Sequence, residues 1–152
     1  MKAPNFDIAE AHRYFAADCF NRVWELLDNP GRGEDDHVRM VALAHASLWH
    51  WTARSDCTSQ NLSIAYWLLS RVYATVGNAA EARRHGLLCL RHSGEESPFY
   101  LAYAHEALAR AELLAGDDAV AQHHLQTARD LAELVTDAGD RAALEKDLAT
   151  IR

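Results

Sequence analysis

Two stretches of this chain repeat each other 39 residues apart. One runs Tyr66-Trp67-Leu68-Leu69-Ser70-Arg71-Val72-Tyr73, then Gly77 and Ala82; the other runs His105-Glu106-Ala107-Leu108-Ala109-Arg110-Ala111-Glu112, then Gly116 and Ala121. In each, a leucine and a small residue precede a glycine by seven positions from the small residue, and an alanine follows five positions later. A glycine in that place closes one helix and turns the chain into the next. Small residues on both helices let the pair approach closely, while Leu69 and Leu108 fill the space between pairs. A helix pair of this kind cannot hide its apolar face alone, so copies must stack.

The helical pattern extends over the whole chain. Seven helices are predicted, over about 7–28, 34–54, 62–76, 79–92, 98–115, 117–136 and 141–151. In the first, Ile8, Phe15, Cys19, Val23, Leu26 and Leu27 recur at three-to-four spacing. Asn29-Pro30-Gly31-Arg32-Gly33 ends it, and Glu34-Asp35-Asp36 suits the positive end of the next helix dipole. Val38, Val41, Ala42, His45, Leu48, Trp49 and Thr52 form the expected apolar face of the second helix. Pro98 fits a first turn and Asp117 an N-cap. In the last helix Leu144, Leu148 and Ile151 are expected inward, with Glu145, Lys146 and Asp147 outward. No strand-like alternation of any length interrupts this.

The repeated positions resemble the tetratricopeptide repeat: Leu69, Ser70, Tyr73, Gly77 and Ala82 in one unit, and Leu108, Ala109, Gly116, Ala121, Leu125 and Ala128 in the other. The chain departs from that family at Glu112, where an aromatic is usual, at Gly86, where a large apolar residue is usual, and in a spacing of 39 rather than 34. Segments such as Ala44-His45-Ala46-Ser47, His50-Trp51 and Trp67 to Tyr73 also resemble bacterial proteins of this helical-repeat type, a likeness that implies no activity. The resemblance implies an all-α fold, a short right-handed α-α superhelix of three hairpins and a C-terminal cap. Residues 1–152 then form one domain: a diverged hairpin over 7–54, repeat-like units over 62–93 and 98–136, and the cap over 140–151. It further implies a concave groove lined by the first helix of each hairpin. Position by position, that puts Trp67 and Arg71 in the groove from one unit and Glu106 and Arg110 from the next, with Tyr103 and Ala74 nearby. Arg71 and Arg110 would project in parallel, and two guanidinium forks hold a carboxylate or a phosphate well. Trp67 and Trp51 would add apolar contact. The plainer reading pairs the arginines with Glu106 and Glu112, as the four-residue spacing of Glu106 and Arg110 permits.

Composition narrows the function classes. A formal net charge of -7 disfavours nucleic acid, whose phosphates call for a basic surface. No apolar run is long enough to span a bilayer, and the first residues lack a secretory segment, so a cytoplasmic location is expected. The 3 cysteines include no CxxC pair, and reduced thiols fit that compartment. Nine histidines are the outlier. With helices one and two antiparallel, Cys19 would fall near His45 and His12 near Thr52, and Trp49 would share the apolar face with His45. A thiol beside an imidazole is raw material for a nucleophilic or soft-metal site. The spacing carries no metal signature, so neither metal nor cofactor is expected, and the plainer reading is a core thiol and a hydrogen-bonded histidine. His123 and His124 read as a solvated face, while His85 and His92, seven apart, could sit side by side in a groove. No nucleophile elbow, phosphate loop or zincin motif points to an enzyme. A module binding a partner peptide or helix is expected, with a homodimer as a further expectation from the open ends of a short stack. A small-molecule or metal sensor using His12, Cys19, His45 and Trp49 is the alternative.

Overall fold

The computed structural model describes residues 5–94 and 97–151. Residues 1–4, where the sequence led us to expect no secretory segment, lie outside the described part. The described residues form seven α-helices and no strand: α1 (Ile8–Leu27), α2 (Glu34–Thr52), α3 (Ser59–Thr75), α4 (Ala79–Ser93), α5 (Pro98–Ala115), α6 (Asp118–Glu133) and α7 (Ala138–Leu148).

Local chemistry accounts for most of the boundaries. Asp7 caps α1 by accepting from the Ala9 and Glu10 amides at 2.8 and 3.1 Å. α3 begins three residues before the predicted Leu62, because Thr58 and Asn61 cap each other's backbone amides. Asp137 caps α7 from outside the predicted start in the same way as Asp7. The two glycine corners are copies of one another. Gly77 and Gly116 both sit at φ 80°, a left-handed conformation that favours glycine. In both, the residue after the glycine closes a six-residue bond, Asn78 N–H to Tyr73 O at 2.9 Å and Asp117 N–H to Glu112 O at 3.0 Å. Those same residues then cap α4 and α6, accepting from the Glu81 and Val120 amides.

α1 pairs with α2, α3 with α4 and α5 with α6. The pairing is antiparallel: Ala16 meets Ser47 and His12 meets His50 across the first pair, while Ser63 meets Ser93 and Ser70 meets Ala82 across the second. Ser70, Ala82 and Ala109 are wholly buried and Ala121 nearly so, which is the close approach the sequence called for. α3 and α5 also touch, in parallel register, and α7 continues the row beside α5. Trp67 faces Glu106 in this row, a separation equal to the sequence repeat.

Two apolar clusters fill the interior. Val23, Met40, Leu68, Leu69, Val72 and Cys89 centre one; Ala109, Leu125, Ala128, Leu144 and Leu148 centre the other. The predicted face of α2 is rotated. Met40, Ala44 and Ser47 are buried, whereas Val38 is 63% and Trp49 60% exposed. Ser47 accommodates the rotation: its hydroxyl donates to the Ala16 carbonyl at 2.8 Å in the buried contact with α1. Ile8 and Phe15 likewise lie outside the core that Ala16, Cys19 and Val23 make. On α7, Asp147 turns toward α5 instead of outward, because the Tyr103 hydroxyl donates to it at 3.1 Å. Among the described residues no helix is long and apolar enough to cross a membrane.

Candidate functional site

The row of odd-numbered helices holds a buried ion cluster. Glu106 on α5 has no solvent exposure, and three donors converge on it. Trp67 Nε1–H donates to Oε2 at 2.9 Å and an Arg71 terminal N–H to Oε1 at 2.9 Å, while Arg110 Nε–H donates to Oε1 from one turn along the same helix. Arg110 continues to α7, donating to the Asp147 carbonyl at 2.9 Å and to the Thr150 hydroxyl. The second Arg71 terminal nitrogen lies 3.8 Å from the Asp147 carboxylate. A buried carboxylate in this setting needs such partners to be tolerated at all. Arg71 and Arg110 therefore do converge, but on a carboxylate of the chain itself. Glu112 plays no part, being paired instead with Arg83 of α4.

Two cavities flank the cluster. Toward the ends of α3 and α5 nearer Gly77 and Gly116, Arg32, Arg71 and Arg110 line a space of about 530 Å³ with Thr75, Leu114 and Thr150. Arg32 arrives from the α1–α2 connection and donates to the Leu27 and Asn29 carbonyls at 2.8 and 3.2 Å, and no carboxylate side chain stands among the cavity's described lining residues. At the other end, Trp24, Trp67, Phe99, Tyr100 and Tyr103 wall a space of about 380 Å³. Among the described residues Asp147 is its only charged lining residue. Trp67 stacks on Trp24 with centroids 5.7 Å apart and meets Tyr103 edge-on at 5.3 Å; Phe99 stands edge-on to Tyr103 at 5.0 Å. Burial, followed by the neighbouring Asp147, pushes the Tyr103 phenol well above its ordinary range. A smaller space of about 250 Å³ beyond Ile64 contains Trp51 with Phe20 and Asn61. Arg54 covers one face of Trp51 at 4.1 Å and is held there by Asp56.

The four residues grouped from the sequence as a pocket separate into three places. His12 joins His50, with Nδ1 atoms 2.9 Å apart, and both rings lie against Trp49 on the outer side of α1 and α2. His45 turns the other way and bonds the Tyr73 hydroxyl through Nε2 at 2.8 Å. Cys19 is buried, and that burial, ahead of Asp18, raises its thiol pKa. Five helical residues separate His45 from His50, which sends the two rings to different sides. Among the described residues no three or more of His, Cys, Asp and Glu gather as a metal site.

His85, His92, His105, His123 and His124 also pair with rings, whereas His37 lies 3.6 Å from the Glu34 carboxylate. His85 and His92 do not touch side by side: Tyr66 stacks between them, at 6.1 Å from His85 and 5.4 Å from His92, and Tyr73 covers the far side of His85 at 5.3 Å. His85 is 5% exposed; burial first, and then His45, draw its pKa down to about 4. His124 is not on a solvated face but turns to His105, with Nδ1 atoms 2.9 Å apart. Burial, then His124 and His123, bring His105 down to about 4.

Sequence reasoning missed Trp24, Phe99, Arg32 and Asp147. The repeat offset carried a signal for one side of the aromatic cavity: adding 39 to Gln60 and Ile64 gives Phe99 and Tyr103. Nothing local marks Arg32, which belongs to a connection. Comparison of the chain with family models, with curated proteins and with solved structures gives no match.

Proposed function

We propose that this chain is a binding module, a tetratricopeptide-repeat-like right-handed stack whose odd-numbered helices hold a peptide or helix of a partner protein in a shared trough. The observation that carries the reading is the succession of cavities on α1, α3, α5 and α7, apolar and aromatic at Trp67 and Tyr103, cationic at Arg32, Arg71 and Arg110. Seven helical residues separate Tyr103 from Arg110, so the two chemistries stand about 10 Å apart. A partner segment with an apolar side chain and an acidic group at that distance matches both. Because Glu106 and Asp147 already engage both terminal nitrogens of Arg71, and Glu106, the Asp147 carbonyl and Thr150 engage the Nε and one terminal nitrogen of Arg110, the acidic group would meet Arg32 and the remaining terminal nitrogen of Arg110. Free thiols at Cys19, Cys57 and Cys89 suit work in the cytoplasm. Exposed Tyr14, Phe15 and Trp49 make the α1–α2 end the place where a second copy would seat. Trp49→Glu should then abolish any concentration-dependent dimer seen by sedimentation; a dimer that survives it uses another surface.

The test of the trough must spare the ion cluster. Arg71→Glu would set a second carboxylate against buried Glu106 and report on folding. Leu114 lines the cationic cavity and is 42% exposed, so Leu114→Glu offsets the charge of Arg32 without removing a core contact. A random peptide library selected on the wild-type protein should enrich sequences pairing an apolar residue with an acidic one, and Leu114→Glu should lose them. Equal recovery by the variant, or no enrichment by the wild type, would remove the reading.

A further inference from the structure

We infer that the aromatic cavity is a receptor site for a small organic ammonium ion. This goes beyond the partner-binding reading, which gives the same cavity only an apolar side chain, and it is tested with a small molecule in place of a peptide. Three observations support it. The walls are aromatic rings packed edge-on to one another: Tyr103 stands at 76° to Trp67 and at 78° to Phe99, so a guest in the space they line meets ring surfaces of more than one orientation. A cation is attracted to such faces by the ring quadrupole, most strongly to tryptophan.

Next, the polar edges of two wall residues are tied to carboxylates. Trp67 Nε1–H donates to Glu106 at 2.9 Å and the Tyr103 hydroxyl donates to Asp147 at 3.1 Å. Donating to an anion pushes electron density back into the ring, which makes its face more negative and a better seat for positive charge. Finally, the only formal charge among the described lining residues is the carboxylate of Asp147, whose side chain is 26% exposed. Arg71 faces that carboxylate at 3.8 Å, but its close pairing, at 2.9 Å, is with Glu106. Arg71 and Arg110 together offset Glu106 and Asp147, so the cavity end of the row carries the negative member of a balanced set. A cavity of about 380 Å³ exceeds a bare tetramethylammonium ion and leaves room for an attached alkyl or aryl body.

Choline and its neutral isostere 3,3-dimethylbutan-1-ol are the probes, followed by the indole N–H resonances of the four tryptophans. Choline should shift the Trp24 and Trp67 signals and leave exposed Trp49 unmoved. It should bind about fivefold or more tighter than the alcohol, the advantage a desolvated cation gains over ring faces. Phe99→Leu keeps apolar volume and removes one π-face, so it should weaken choline while leaving the alcohol alone. Asp147→Asn should narrow the preference further. Equal binding of the alcohol would make the cavity an ordinary apolar hollow and overturn the inference. So would the absence of any choline-induced shift at Trp24 and Trp67, or a choline preference untouched by Phe99→Leu. None of these results depends on whether a peptide binds at the arginines.

Discussion

Replacing Glu106 by glutamine keeps the shape of the side chain and removes its charge. In the wild type, Oε2 accepts from Trp67 while Oε1 accepts from Arg71 and Arg110, so all three contacts need an acceptor. An amide has only one oxygen. If it faces the arginines, its NH₂ opposes the Trp67 N–H; if it faces Trp67, the NH₂ opposes two guanidinium groups. Either orientation leaves a buried donor without a partner, a cost of about 1–3 kcal/mol. Losing the countercharge of two arginines adds to this. Removing one member of a buried ion pair costs roughly 3–5 kcal/mol. The arginine side chains keep 16–18% of their exposure, so water recovers part of that. Glu106→Gln should therefore lose about 3 kcal/mol of unfolding free energy. Urea denaturation followed by far-ultraviolet circular dichroism measures it. Adding Trp67→Phe removes the indole donor and should cost less on top of Glu106→Gln than in the wild type, because the two changes share a contact. A loss below ~0.5 kcal/mol with unchanged helicity would refute the cluster as the tie between α3, α5 and α7.

Three further outcomes are expected. Gly86→Val should lose about 2 kcal/mol by overpacking, since a Cβ at Gly86 falls 2.9 Å from Leu108 Cδ2 and 3.4 Å from the Ser70 hydroxyl; a variant as stable as wild type in urea would mean that α4 and α5 can part freely. His85 and His105 both have folded pKa values near 4, below the ordinary 6.5, so the unfolded chain binds protons first as pH falls. Their contribution is complete above about pH 6.5 and is lost on the way down to pH 4, at up to ~1.4 kcal/mol per pH unit for each, and a double His85→Gln, His105→Gln variant should flatten that part of a stability–pH curve; an unchanged slope would contradict the assignment. Cys89 is wholly buried with its thiol pushed up to about 11, whereas Cys57 is partly exposed, so an aromatic disulfide reagent should modify Cys57 in the native protein and Cys89 only after unfolding.

What could be read from the residues alone follows a physical division. Elements were legible because their signals are local: Gly77 and Gly116 at helix ends, Pro98 at a start, Asp117 as a cap. The register of α3 on α5 coincides with the 39-residue offset of the two sequence stretches, since Trp67 faces Glu106. The orientation of α2 was not legible, because a helix packed on two neighbours has apolar residues on more than one face, and Ser47, a polar residue, sits in the buried contact with α1. Nor was the fate of Arg71 and Arg110. Spacing shows that they are parallel; only the depth of Glu106 between the helices decides that they meet it before they meet a ligand. His85 and His92 looked adjacent from their seven-residue spacing, yet Tyr66 from α3 occupies the gap, a cross-helix event that no single-helix periodicity records.

The most direct test of a binding face on the odd-numbered helices is a backbone amide shift map of the labelled protein with a peptide recovered from the selection. Perturbations should run along Ile64, Ala74, Leu113 and Thr150, which line that face, and spare Leu87 and Val120 on α4 and α6. Perturbations centred on α4 and α6 would contradict the assignment.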